Sequence, residues 1–139
     1  MDKQIIDFIK KHHVFTLATS INDQPYCCNC FYTYLKDENA LIFTSDDNTK
    51  HIADAKQNNF VAGSIVLETS IIGKIQGLQF QGKMFEPTGD LLSTAKFSYL
   101  KRFPFAALMD TQLWVIKLTF AKLTDNRLGF GKKLIWREN

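Results

Sequence analysis

Two runs rich in β-branched and aromatic residues, YCCNCFYTYL and ALIFTS, are joined by the short polar turn KDEN. Such spacing predicts a hairpin, because a short turn between two runs of this kind lays them side by side and antiparallel. The same device recurs upstream. HVFTLATS meets YCCNCFYTYL across INDQP, where Asn22, Asp23 and Pro25 break the extended chain. FVAGSIVLE and GKIQGLQFQGKMFEP read as a further strand and a longer one, with Ile75, Leu78, Phe80 and Met84 among the apolar positions. Gly77 and Gly82 within the longer run predict bulges or a sharp bend. TQLWVIKLTFAKLTD is the last long strand, and NRLGFGKKLIW follows it as a tail.

Helical signals are fewer. Residues 2–12 carry an apolar stripe of Ile5, Ile6 and Ile9. Residues 49–59 suit a short helix, with Asn48 or Asp47 as cap and Ile52, Ala53 and Ala55 facing inward. TGDLLSTAKFSYLKRFP reads as a helix with Asp90 near its start and Pro104 as its stop. The order is helix, three strands, short helix, two strands, longer helix, strand, tail. Hairpins outnumber parallel crossovers, which predicts a mainly β fold: a small antiparallel barrel with peripheral helices rather than a doubly wound sheet.

A chain of 139 residues suits one domain, spanning 1–139, around one core. Its 45% hydrophobic content, with twelve Phe, is enough to build that core. The net charge of +3 is small and its charges are interleaved, so nucleic acid is not an expected partner. No run is apolar enough to cross a membrane, and the charged start MDKQIIDFIKKHH lacks a secretory signal's apolar segment. The expected location is cytoplasmic. Cys27, Cys28 and Cys30 are too few and too close for a disulfide framework. No second, distant pair of ligands accompanies them, so no metal site is expected. They read as small apolar residues of a buried strand, with metal binding or redox chemistry as the other uses.

The stretch FTSDDNTKH raises the functional question. A strand empties into Thr44, Ser45, Thr49 and Lys50 at the start of a helix. Free backbone N–H groups, hydroxyls and a lysine can hold a phosphate there. Asp46 and Asp47 would repel it unless they turn away. An ordinary capped loop uses the same residue types.

The longer segment CNCFYTYLKDENALIFTSDDNTKHI resembles the flavin-binding core of the pyridoxamine 5'-phosphate oxidase-like family, the FMN-binding split barrels. In that family an R-x-V-L-L-K strand forms a hairpin with a strand ending F-Y-T-N, and an S-R-K triplet starts a helix. Here the first strand is Cys28-Asn29-Cys30-Phe31-Tyr32-Thr33. The second ends Ile42-Phe43-Thr44-Ser45, and the triplet is Asn48-Thr49-Lys50. The family's two arginines become Cys28 and Thr49. HHVFTLATSINDQPY, GLQFQGKMFE, KRFPFA and TDNRLGFGKKLIW extend the likeness, toward a small bacterial branch of these proteins. The R-L-H-type substrate motif of the true oxidases is missing from the tail, so their substrate is not carried over.

The resemblance implies an FMN-binding split barrel and a homodimer with FMN in clefts between subunits. Cys28, Asn29, Cys30, Phe31 and Tyr32 would line the flavin ring. Thr44, Ser45, Thr49 and Lys50 would hold its phosphate. Gln79 and Gln81, two apart on one strand face, would reach the flavin edge. Lys132, with Lys133 beside it, and Trp136 would close the cleft and restore missing charge. Each has a plainer use: core packing for the five residues from Cys28 to Tyr32, a solvated helix for Lys50 and His51, an exposed sheet face for the glutamines, a tail on its own barrel for Trp136. No acid–base pair or serine triad stands out, which fits a flavin doing the chemistry.

The expected function is therefore an FMN-dependent oxidoreductase or flavin reductase-like protein that acts on a small-molecule substrate. Two other readings stand beside it. One is a flavin- or haem-binding or sensing module, with His12, His13 or His51 as axial ligand. The other is a structural dimer that has lost its cofactor.

Overall fold

Polar turns at the expected places fold the first hairpins, and a computed structural model describes the result for residues 1–110 and 112–139. β1 (Val14–Ile21) and β2 (Gln24–Leu35) meet across Asn22 and Asp23, which have φ of 50° and 61°. Two positive φ values in a two-residue loop match the right-handed twist of the flanking strands, and Asn and Asp tolerate them. β3 (Ala40–Ser45) then returns along the second half of β2, from Tyr32 opposite Phe43 to Leu35 opposite Ala40.

β4 (Phe60–Leu67), β5 (Gln76–Phe85) and β6 (Gln112–Asp125) complete the sheet in the order β3-β2-β1-β4-β5-β6. All pairings are antiparallel, and β3 also pairs with β6, so the sheet closes into a split barrel. Thr111, the first residue of the expected last strand, lies outside the described residues. The tail is not a plain tail. Lys133–Arg137 form β7, paired with β6 from Phe120 opposite Arg137 to Thr124 opposite Lys133. Its five residues carry no sharp turn signal at their N-terminal side except the glycines, of which Gly129 and Gly131 have φ of 128° and 67°.

β6 thus gives its first half, Gln112 to Lys117, to β3 and its second half to β7, while β5 runs along its other edge. The exchange needs a kink, and the bulge sits there. Gln81 faces Phe120 but Gly82 faces Leu118, so Thr119 is the extra residue. A Cβ on Gly82 would lie 2.5 Å from the Lys117 carbonyl oxygen and 2.7 Å from Ile116 Cγ2. Gly77 is different: its nearest neighbour would be Ile65 O at 4.0 Å. Only one of the two expected glycines therefore serves a close approach.

The barrel interior centres on Phe15, which meets Tyr32, Phe43 and Phe80 edge-on at centroid distances of 5.6, 5.4 and 5.8 Å. Such pairs contribute about 0.5–1.5 kcal/mol each beyond area burial. α1 (Lys3–Lys11) starts where Asp2 accepts from Gln4 N at 2.8 Å, and it buries Ile5, Phe8 and Ile9 against this core. Phe8, not Ile6, completes the buried stripe. α2 (Lys50–Gln57) adds Ile52 and Ala55. Its buried set also includes Asp54, while Ala53 is exposed. α3 (Gly89–Arg102) lies outside the sheet and builds a second cluster of Ala95 and Tyr99 on Ala40, Ile42 and Val115. Arg102 at its end donates to Tyr32 O and Lys10 O, both at 3.1 Å, and to His12 O. One guanidinium thereby joins α3, β2 and the end of α1. No helix among the described residues is long and apolar enough to cross a membrane.

These contacts separate the two glycines by experiment. Gly82→Ala is expected to destabilise the fold by roughly 1–3 kcal/mol through overpacking. Gly77→Ala should stay within about 0.5 kcal/mol of the parent. Urea unfolding of both variants checks the pair, and equal losses would remove the close approach as the cause.

Candidate functional site

Side chains alternate across a strand, and this separates residues that the sequence places together. In β3, Leu41 and Phe43 enter the inner core while Ile42 joins the outer cluster under α3. Thr44 follows Ile42 outward, where its hydroxyl lies 3.2 Å from Tyr99 OH. Ser45 turns to the other side and meets the start of α2: its Oγ is 2.6 Å from His51 Nε2 and 3.3 Å from Thr49 Oγ1. Thr44 and Ser45 therefore do not converge on one point.

Thr49 is the N-cap of α2, in place of Asn48 or Asp47. Its hydroxyl donates back to Asp46 O at 2.9 Å and makes no capping bond to the helix. The first turn's N–H groups thus have no side-chain cap from Thr49, which suits an anion. Asp47 is turned away into an ion pair with Lys56. Lys50 is not free. Its ammonium donates to both oxygens of Asp54 at 3.0 Å and lies 5.0 Å from the centre of the Tyr26 ring. Thr19 Oγ1 donates to Asp54 Oδ2 at 3.0 Å as well. The sequence reading missed Asp54; the i, i+4 spacing from Lys50 is the signal that marks the pair.

β2 shows the same alternation. Cys28 and Cys30 point inward, opposite Leu17 and Phe15 of β1, and their Sγ atoms are 3.9 Å apart. Asn29 and Phe31 point outward. Thr16 donates to Asn29 Oδ1 at 2.8 Å, and Phe31, 59% exposed, packs 5.5 Å from the Phe103 ring. Tyr32 is fully buried and its hydroxyl donates to Ile9 O at 2.6 Å. These five residues therefore line two surfaces, not one. Cys27 is exposed.

The other expected site residues lie elsewhere on the chain's surface. Gln79 and Gln81 both face outward on β5, and Gln81 borders an open groove of ≈ 500 Å³ with Ala18, Ser20, Phe60 and Ala62. Lys132 is exposed in the turn before β7, where its carbonyl accepts from Asp125 N at 3.1 Å. Trp136 is half-buried on β7 against its own barrel's core. The three histidines do not gather. His12 Nε2 is buried without a partner, with its ring 4.3 Å from Phe8, and His13 stands edge-on to Phe103. His51 alone reaches the β3–α2 junction.

One grouping was not expected. The ligand-bearing atoms of Cys28, Cys30 and His51 all lie within 4.8 Å of one another. The third member sits a hairpin and a turn away from the C-x-C pair, so no local spacing reveals it. Burial lowers the His51 pKa, with Asp54 opposing it, and keeps the imidazole neutral. The thiol–thiol hydrogen bond lowers the Cys28 pKa and raises that of Cys30, which burial raises further.

The Lys50 hydrogen bond, ahead of Thr19's, holds the Asp54 carboxyl below its ordinary 3.8. A lowered folded-state pKa contributes stability that is complete above the unfolded value and is lost as pH falls through the folded one. Asp54→Asn should therefore be less stable than the parent near neutrality. The gap should narrow as pH drops below 3.8. Urea midpoints across pH check this, and a gap independent of pH would assign Asp54 a purely steric role.

No family model matches this chain. Curated relatives do. A UPF0306 protein of Photorhabdus laumondii is 37% identical over 130 residues, covering 94% of this chain and 91% of that protein. One from Klebsiella pneumoniae is 36% identical over 132 residues, covering 95% and 90%. Among solved structures, a heme binding protein from Mycobacterium smegmatis superposes with TM-score 0.79 at 18% identity, over 99% of this chain and 59% of that one. The chain thus spans little more than half of that protein. An FAD-binding protein from Mesorhizobium loti gives TM-score 0.71 at 14% identity, over 88% and 94%. A NimC/NimA family protein from Clostridium acetobutylicum gives 0.67 at 20%, over 96% and 91%. At these identities the solved structures establish the split-barrel fold alone, while the near full-length sequence identity to its curated relatives establishes that this chain belongs to the UPF0306 family.

Proposed function

We propose that this protein binds FMN as a homodimer and serves as an FMN-dependent oxidoreductase or flavin reductase-like protein. The observation that carries the reading is the β3–α2 junction. An uncapped helix start and the hydroxyls of Ser45 and Thr49 gather there, and Lys50 is the first residue of the helix, its ammonium on Asp54. That donor set suits a phosphate. Cys28 and Thr49 in place of the family's arginines, and Asp54 against Lys50, leave it weaker in charge than the family pattern. The bound flavin would supply the hydride-accepting ring.

The residues of this chain would bind and shield. Lys50 would turn from Asp54 toward the phosphate, which Asp47 does not oppose because Lys56 holds it. Phe31 offers an exposed aromatic face on the outer side of β2. Exposed Phe97, Phe105 and Leu108 follow one another along α3 and the next turn, Pro104–Leu108. Apolar surface of this kind supports burial against a second copy, with the cleft between the two. Solved split barrels described as heme binding and FAD-binding support a cofactor in this fold. Flavin is favoured over haem because the donors at this junction suit a phosphate, which FMN carries and haem lacks.

The purified protein is expected to show flavin absorption, or to acquire it with added FMN. Lys50→Ala should weaken FMN by about 1.5 kcal/mol and leave riboflavin nearly unaffected, because only FMN carries the phosphate. Flavin fluorescence titrations read both, and equal losses would move Lys50 out of the phosphate site. Light scattering should give the mass of a dimer; a monomer at every concentration would sink the shared cleft.

A further inference from the structure

Cys28 and Cys30 are two residues apart on one face of β2, and their thiols are turned toward each other. A disulfide does not fit them. Alternate residues of a strand have Cα atoms about 6.6 Å apart with parallel Cα–Cβ bonds. A disulfide needs Cβ atoms only about 3.5–4.5 Å apart, so closing one would require the strand to buckle. A shared metal ion demands no such movement. With metal–sulfur bonds of about 2.3 Å and tetrahedral angles, two thiolates sit about 3.8 Å apart. The sulfurs are 3.9 Å apart.

His51 supplies the third ligand. It stands in the first turn of α2, and one of its ring nitrogens lies within 4.8 Å of both sulfurs. A tetrahedral site wants this separation at about 3.5 Å, so the half-buried side chain needs to close by at most about 1.3 Å. Ser45 holds the ring through Nε2 at 2.6 Å, and Thr49 lies 3.3 Å from the same atom. Partners of this kind orient a ligating imidazole and set its tautomer. The ligand set is two sulfurs and one nitrogen, which suits zinc-class cations and excludes magnesium or calcium.

We propose that Cys28, Cys30 and His51 form a binding site for one thiophilic divalent cation of the zinc class. Three protein ligands leave the fourth position to water or to an atom of a small ligand. That coordination belongs to sites that exchange ligands rather than to closed structural ones. The proposal does not rest on flavin binding. Its ligands are two inward cysteines of β2 and one histidine, whereas the phosphate reading uses Lys50, the uncapped helix start and the hydroxyls of Ser45 and Thr49, which here only orient the imidazole.

The test uses the whole, flavin-free, reduced protein titrated with cobalt(II), then with zinc(II). Expected are one cobalt per chain, thiolate-to-cobalt charge-transfer absorption, the strong visible bands of a tetrahedral ion, and their loss when zinc displaces it. Cys28→Ser and His51→Gln should each weaken cobalt at least tenfold. Cys27→Ser should match the parent, since that thiol is exposed and outside the cluster. Circular dichroism of each variant separates lost ligation from lost fold, and the half-buried Cys28 is preferred to Cys30 for that reason. Absence of charge-transfer bands in the folded parent would overturn the site. So would an affinity unchanged in Cys28→Ser, or a Cys28–Cys30 disulfide under reducing conditions, read as a mass two hydrogens lighter that persists in Cys27→Ser. Because no flavin is present, failure here leaves the FMN titrations standing, and failure there leaves this site standing.

Discussion

Closure of the sheet depends on one strand serving three partners. β6 runs along β5 on one edge and divides its other edge between β3 and β7. A straight strand cannot hand one partner to the next while keeping its side chains in register with a curved wall. The extra residue Thr119 absorbs the mismatch, and Gly82 lets β5 come close enough to follow. Thr119 O then accepts from Glu138 N at 2.9 Å, and Leu118 N donates to Asn39 O at 2.9 Å. The backbone groups freed by the kink are thus used by the arriving ends of β7 and the β2–β3 turn, as buried backbone requires.

That closure positions the candidate site. It fixes which face of β2 is inside, and so brings Cys28 and Cys30 to the interior beside Phe15 and Leu17. It leaves Phe31 on the outside. It also sets the end of β3 against α2, where Ile52 and Ala55 seat the helix in the core and Asp54 ties it to Thr19 of β1. His51 and Lys50 leave this helix start in different directions. One turns toward the thiols and Ser45, the other along the helix to Asp54.

The junction is chemically mixed for this reason. A site built only for phosphate would present free cations; here the lysine is shared with a carboxylate, and Cys28 and Thr49 offer a thiol and a hydroxyl. Soft ligands and a neutral imidazole occupy space next to an uncapped helix start. The two chemistries share a border: Ser45 and Thr49, whose hydroxyls serve the phosphate reading, also hold His51 through Nε2.

Much of the architecture was legible without coordinates. Turn residues at 22–25 and 36–39, β-branched runs and Pro104 placed the strands and helices up to β6, because these signals are local. The short apolar alternation of KLIWR was not legible as β7, since five residues pair only when a neighbour offers an open edge. Nor was the burial of Asp54, because a carboxylate enters a core only where a lysine and a threonine already wait for it. The sequence by itself determined the antiparallel barrel and the strand-to-helix junction; it pointed to Gly77 and Gly82 alike for a bend, whereas the extra residue is Thr119 of β6 and Gly82 alone makes the close approach. Only the tertiary structure decided that Thr44 and Ser45 part company, that Trp136 packs on its own barrel, and that His51 meets the two inward cysteines. The physical reason is that strand parity depends on register with partners distant in sequence, and a one-residue shift sends every side chain to the other face.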